Sequence, residues 1–237
     1  MTFSIDSCII IGIANKEDCQ NDRSKKLLLR RKDKLVILLT VILEAVSTYD
    51  KKFNRASVII LSILEKTKEF EKFNKEFESL MEKEREKERK KEKNIVNFLR
   101  LAYGMIEPHL RNENFKKVNQ ILLDHPIDTS PRIWGMVESL KEIKEVIFPE
   151  EKLRATKNSI EPIISNINFR KSKDRQHFLF LCAYSLDTSN DLDYITTDGR
   201  YVLNMLECMY LMKKNKKFKN IRVNPILLTD NYIASLN

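Results

Sequence analysis

Between Asn54 and Tyr103 the sequence contains neither glycine nor proline and no run that reads as a strand, so helix is the only economical structure for it. Phe70, Phe73, Phe77, Leu80 and Met81 recur at three- and four-residue steps, the apolar stripe of an amphipathic helix. Every position from Glu82 to Lys93 is charged. Acids and bases alternate there and nearly cancel, which describes a solvated helix braced by pairs one turn apart rather than an arm for nucleic acid. The stripe reads as packing rather than a stacking platform, and it is too short to force a coiled-coil dimer, although a helical hairpin fits it. With 4 Gly and 6 Pro in 237 residues the whole chain lacks the turns of a sandwich or barrel, and helices should dominate.

The two ends of the chain read differently. A β-prone run, Thr2 to Ile5, reaches Asp6 and leads into an apolar helix ending near Ala14. A second short strand is expected at Leu35–Leu39, with Thr40 capping the helix that follows. The stretch "DTSPRIWGMVESLKEIKEVIF" predicts a helix with Ser130 as N-cap, Pro131 at the first helical position and Trp134 on the apolar face. Later, "KSKDRQHFLFLCAYSLD" predicts a helix from about Lys173, "YITT" a strand, "RYVLNMLECMYLMKKNKK" a helix and "IRVNPILL" a last strand. Alternating strands and helices imply an α/β fold with a central parallel sheet covered by helices. The organisation expected is a core in two parts, residues 1–53 and 149–237, carrying an inserted helical segment at 54–148.

Lys and Arg outnumber Asp and Glu by 43 to 34, a formal charge of +9 that suits a phosphate-bearing partner without requiring one. The basic runs Lys25–Lys34 and Lys213–Lys219 are candidate phosphate contacts, or simply solvated helix ends. Cys8, Cys19, Cys182 and Cys208 match no zinc or redox spacing and read as reduced thiols. "CIIIGIA" is too short for a signal peptide or a membrane span, so a cytoplasmic protein away from membranes is expected. The chain has no phosphate-binding glycine loop, dinucleotide turn or nucleophile elbow, and His109, His125 and His177 share no motif.

Four acids remain. In an open parallel sheet, sites form outside the carboxyl ends of the strands. Asp6 and Asp198 each follow a candidate strand, Asp174 opens a helix ahead of one, and Glu44 lies early in the helix after another. Carboxylates about 4 Å apart repel by about 4 kcal/mol per pair at an effective dielectric near 20, and a hard divalent cation is the natural reason to gather them. Oxygen-only ligands favour Mg²⁺ or Mn²⁺ over zinc, and the basic surface points to a phosphodiester substrate. Three of the acids also have a plainer role: Asp174 as a helix cap, Glu44 on an exposed face or paired with lysine, Asp198 in a turn beside Gly199; Asp6 has no turn residue beside it. His177, one turn beyond Asp174, could face the same pocket, though packing against a neighbour is the plainer expectation.

These residues resemble a known family. "SIDSCII" resembles the opening Asp-Thr/Ser motif of PIN-domain nucleases, "TVILEAV" their second-acid helix, "KDRQHFLFLCAY" their third-acid helix and "DYITTDGRY" their closing Thr-x-Asp motif. The four occur in family order over the first 60 residues and roughly the last 80, with the second and third separated by the helical segment. Cys8 stands where the family often has Asn. The resemblance implies a PIN-like three-layer α/β/α fold and metal-dependent endoribonuclease activity. It makes Asp6, Glu44, Asp174 and Asp198 the acids that hold Mg²⁺ or Mn²⁺, with Ser7 and Thr196 steadying that shell by their hydroxyls. Asp193 is a reserve acid expected ahead of its strand, at the opposite edge. RNA is the implied substrate, and a homodimer is compatible with it.

Two other readings stay open. One is a PIN-like scaffold that binds RNA or a protein partner through the 54–148 segment. The other is a helical interaction protein, for which the alternating ends would be misread.

Overall fold

The computed structural model describes residues 2–67, 69–89, 95–143, 145–147, 149–169 and 172–236. Lys90 to Lys93 of the charged run lie outside the described residues. Five strands form one parallel sheet: β1 (Thr2–Ile5), β2 (Lys34–Val36), β3 (Val146–Ile147), β4 (Leu192–Thr196) and β5 (Val223–Leu227), in the order β3-β2-β1-β4-β5. The fold is therefore α/β with a parallel sheet and mainly helical content. Among the described residues no helix is long and apolar enough to cross a membrane.

The chain divides into two compact units, the first comprising Met1–Ile10, Asp22–Ala45 and Met136–Asn237 and the second Ile11–Asn21 and Val46–Gly135. The first unit contains the sheet. Its central strand β1 is buried throughout, as a strand with neighbours on both sides must be. Pro225 is tolerated in β5 because that strand lies at the sheet edge, where one side needs no ladder donor. The helices of this unit include α8 (Glu150–Ile160), α9 (Ser172–Thr188), α10 (Gly199–Lys214), α11 (Asp230–Ala234) and, from Asp22 on, α2 (Asn21–Arg30). It also holds the start of α1 (Ser7–Ala14), the start of α3 (Leu39–Thr67) and the end of α7 (Thr129–Ile143).

Several local expectations change. The second strand ends at Val36, and α3 already begins at Leu39, so Thr40 is not its cap. Instead the Thr40 N–H, one of the unpaired donors of a first helical turn, donates to Glu150 Oε1 at 3.1 Å. The helix after Ser130 starts at Thr129, which puts Pro131 in the first turn, where its missing N–H costs nothing. That helix stops at Ile143, and Val146–Ile147, expected to continue it, forms the edge strand β3 against β2. Asp193 lies inside β4 as its second residue, not ahead of the strand; it accepts from Arg31 Nη1 at 2.8 Å and from Asn224 Nδ2 at 2.9 Å.

The second unit is helical. It contains most of α3, together with α4 (Phe70–Arg89), α5 (Val96–Arg111) and α6 (Phe115–Asp124). Glu113, in the left-handed region at φ 52°, reverses the chain after α5, and the Asn114 side chain caps α6 by accepting from Lys117 N–H. The apolar stripe is packing: Phe77 and Tyr103 stack at 4.7 Å between ring centroids, and Phe73 lies 5.8 Å from Phe77. In the charged run Glu84 is buried and paired with Lys87 one turn on.

Candidate metal centre at the carboxyl edge of the sheet

From β1 the chain moves one way to β2 and β3, then returns across β1 to β4 and β5 on its other side. The order reverses between β1 and β4, and in open parallel sheets the crevice at such a switch point, outside the carboxyl ends of the strands, is where ligands bind. Asp6 follows β1 and Thr196 ends β4, so the two meet at that point. The Asp6 N–H still donates to Ile195 O at 3.1 Å, which fixes the residue in the ladder.

Four donors converge on the Asp6 carboxylate. Oδ1 accepts from Ser7 N–H at 2.7 Å and from the Ser7 hydroxyl at 3.3 Å; Oδ2 accepts from Thr196 Oγ1 at 2.7 Å and from the Cys8 thiol at 3.2 Å. The Asp6 carbonyl also accepts from Ile9 N–H at 3.0 Å, so Asp6 opens α1 and its charge faces the positive end of that helix. The low polarity around Cys8, and next the Asp6 charge, push its thiol well above the usual range. It stays protonated and acts as a weak donor to Asp6.

Two further donor atoms face Asp6. Glu44, in the second turn of α3, is 8% exposed, and His177, in the second turn of α9, is 1% exposed. A ligand atom of each of Asp6, Glu44 and His177 lies within 4.8 Å of the other two, and His177 Nδ1 stands 4.0 Å from Glu44 Oε2. All three come from the carboxyl edge: α3 begins there after β2, and α9 begins there because its other end leads to the start of β4. Two carboxylates and one imidazole from three separate elements form a ligand set suited to a divalent cation.

Of the four acids expected to converge, the structure gathers Asp6 and Glu44 with His177. Asp198 is exposed and is the N-cap of α10, its Oδ1 accepting from Arg200 N–H at 2.9 Å and Tyr201 N–H at 3.2 Å. Its own N–H donates to Thr196 Oγ1 at 3.1 Å, so it reaches Asp6 only through the threonine hydroxyl. Asp174 lies in the first turn of α9, half-buried, and its carbonyl accepts from Tyr201 Oη at 2.5 Å. Burial, then the charges of Asp6 and Asp174, push the Tyr201 phenol well up, so it remains a donor. Tyr201, the last residue of "DYITTDGRY", was not singled out from sequence, and Cys8 was noted only for standing where an Asn was expected. His177 was visible only through its position one turn after Asp174.

Both basic runs lie away from this edge. Lys25–Lys34 leads into the start of β2 and Lys213–Lys219 towards the start of β5, which places their ends at the amino edge of the sheet. Within the first run Arg31 is buried against Asp33 and Asp193, and Lys34 pairs with Glu145. Among the described residues, exposed cations near helix starts at the carboxyl edge include Lys152 on α8, Lys173 on α9 and Arg200 on α10. Comparison of the chain with protein-family models, with curated proteins and with solved structures finds no match.

Proposed function

We propose that this chain is a divalent-metal-dependent nuclease of PIN type, with a three-layer α/β/α core, that hydrolyses RNA internally. The observation that carries this reading is the convergence of Asp6, Glu44 and His177 at the switch point of a parallel sheet. The donor set fits a divalent ion, since a buried and a half-buried carboxylate this close repel each other unless a cation lies between them. When bound, such an ion stabilises negative charge on a phosphoryl oxygen and lowers the pKa of its water.

The chain's own residues do the positioning. Thr196 and the Ser7 N–H lock the Asp6 carboxylate in one orientation, so its ligand oxygen is aimed before any ion arrives. Asp174 and Asp198 act from the rim, as acceptors for ordered water. Lys152, Lys173 and Arg200, together with the positive ends of α9 and α10, make the carboxyl edge attractive to the phosphates flanking the scissile bond.

The test is cleavage of a mixed pool of structured and single-stranded RNA with Mn²⁺, with Mg²⁺ and with EDTA, comparing wild type with Asp6→Asn and Glu44→Gln. Metal-dependent cutting that both substitutions abolish is the expected result. No cutting in any lane, with no measurable metal binding, overturns the reading.

One observation favours the scaffold alternative. In the helical unit, Leu61, Leu64 and Glu65 of α3 and Phe115, Asn119 and Leu123 of α6 line an open, largely apolar groove of about 580 Å³, with Leu123 64% exposed. A groove between two helices suits an amphipathic helix of a protein partner. Binding of RNA or protein that is indifferent to metal and to Asp6→Asn would favour it.

A further inference from the structure

We infer that the metal centre selects a divalent transition ion of the Mn²⁺ kind over Mg²⁺, with His177 as the selecting ligand; this rests on the metal-centre reading above. The four-acid pattern in the sequence implied oxygen donors alone, a set that leaves Mg²⁺ and Mn²⁺ nearly equal. The structure brings an imidazole to the cluster, while Asp198 is engaged at the start of α10. Imidazole nitrogen is a good donor to first-row transition ions and a poor one to Mg²⁺, which takes carboxylate, carbonyl and water oxygens.

The geometry allows a shared ion. Two donors each about 2.2 Å from one centre can stand at most about 4.4 Å apart. The 4.0 Å between His177 Nδ1 and Glu44 Oε2 lies inside that limit. The outer bound of 4.8 Å for the set asks for a contraction of about 0.4 Å, within the reach of small rotations about side-chain bonds.

Burial acts in the same direction. His177 at 1% and Glu44 at 8% exposure require an incoming ion to give up water on their side. Mg²⁺ sheds water reluctantly and normally keeps several. The imidazole is also held firmly, because Phe178, Leu179 and Leu181 beside it on α9 are wholly buried. Nitrogen is therefore presented to the ion by packing, and an oxygen-seeking ion has no cheap way to replace it.

The experiment uses the full chain freed of metal. Titration with Mn²⁺ and with Mg²⁺ should show Mn²⁺ binding about tenfold tighter or more. Pulsed paramagnetic resonance of the Mn²⁺-loaded wild type should show coupling to an imidazole ¹⁴N. In His177→Gln the nitrogen signal should vanish and Mn²⁺ affinity fall about tenfold or more, with Mg²⁺ affinity changed by less than about twofold. Mn²⁺ bound without ¹⁴N coupling, or equal affinity for the two ions in wild type, overturns the role of His177 and leaves the metal centre standing. Failure of both ions to bind overturns the metal centre itself. Because the wild-type spectrum reads the ligand directly, a variant that failed to fold would not protect the inference.

Discussion

Glu44→Gln should make the metal-free protein more stable. Glu44 and Asp6 offer carboxylate oxygens within 4.8 Å of each other, and Glu44 is 8% exposed. At an effective dielectric of about 20, two unit charges at that distance repel by about 3.5 kcal/mol, and closer approach raises the figure. Gln keeps the shape of Glu and removes the charge. In EDTA the variant should therefore gain about 3 kcal/mol, a rise in unfolding midpoint on the order of 5–10 °C for a chain of this size. Mn²⁺ at about 100 times its dissociation constant should stabilise wild type by about 2.7 kcal/mol and leave the variant unmoved, so the two proteins draw together as metal is added. Scanning calorimetry is the right assay, because the single tryptophan, Trp134, lies in the helical unit and would report the wrong transition. A lower midpoint for Glu44→Gln in EDTA, with no response of wild type to Mn²⁺, would refute the reasoning. Glu44 would then be held by its contact with His177 rather than strained against Asp6.

Thr196→Val should loosen Asp6, since Thr196 is wholly buried and its hydroxyl donates to Asp6 Oδ2 at 2.7 Å while accepting the Asp198 N–H. A stability loss of about 2 kcal/mol and a fall of about tenfold in metal affinity are expected, with Thr196→Ser restoring both; an unchanged metal titration would remove the threonine from the site. In the helical unit, burial and then the Arg132 guanidinium lower the His125 pKa from 6.5 to about 4. Arg132 Nη2 lies 2.8 Å from His125 Nε2 and donates to it, so Nε2 carries the lone pair. The neutral form is favoured by the fold, so stability is full above pH 6.5 and falls by about 3 kcal/mol as the pH drops through the folded value near 4. The difference between wild type and His125→Gln, followed by denaturant unfolding from pH 7 to pH 4, should show that loss; parallel curves would contradict it.

Much of the architecture was legible because its signals are local. β1 with Asp6 and α1, and β4 with Asp198 and α10, are runs in which an apolar strand meets a capping aspartate and a helix-forming stretch. β3 was not legible, since two residues carry no periodicity and only the edge of β2 makes them a strand. α2 was hidden by its charges: "NDRSKKLLLR" reads as polar chain, yet Leu27 and Leu28 are buried in one turn of it. In the site, Asp6 and Glu44 could be singled out from their places after strands. The same pattern singled out Asp198, the N-cap of α10, and Asp174, in the first turn of α9; an aspartate that caps a helix and one that holds an ion look alike in sequence. The basic runs left two roles open for a related reason, since charge composition carries no information about which edge of a sheet a helix end reaches.

The sequence by itself determined the alternation of strand and helix at the two ends, the helical middle and the aspartates at helix starts, all consequences of propensities acting over a few residues. Only the tertiary structure decided that Asp6, Glu44 and His177 bring ligand atoms within 4.8 Å of one another while Asp198 Oδ1 caps a helix. Those three residues lie on different elements, far apart in the chain. Their meeting depends on the order of parallel strands around β1 and on the rotational phase of α3 and α9 about their axes, which are set by packing against the whole sheet.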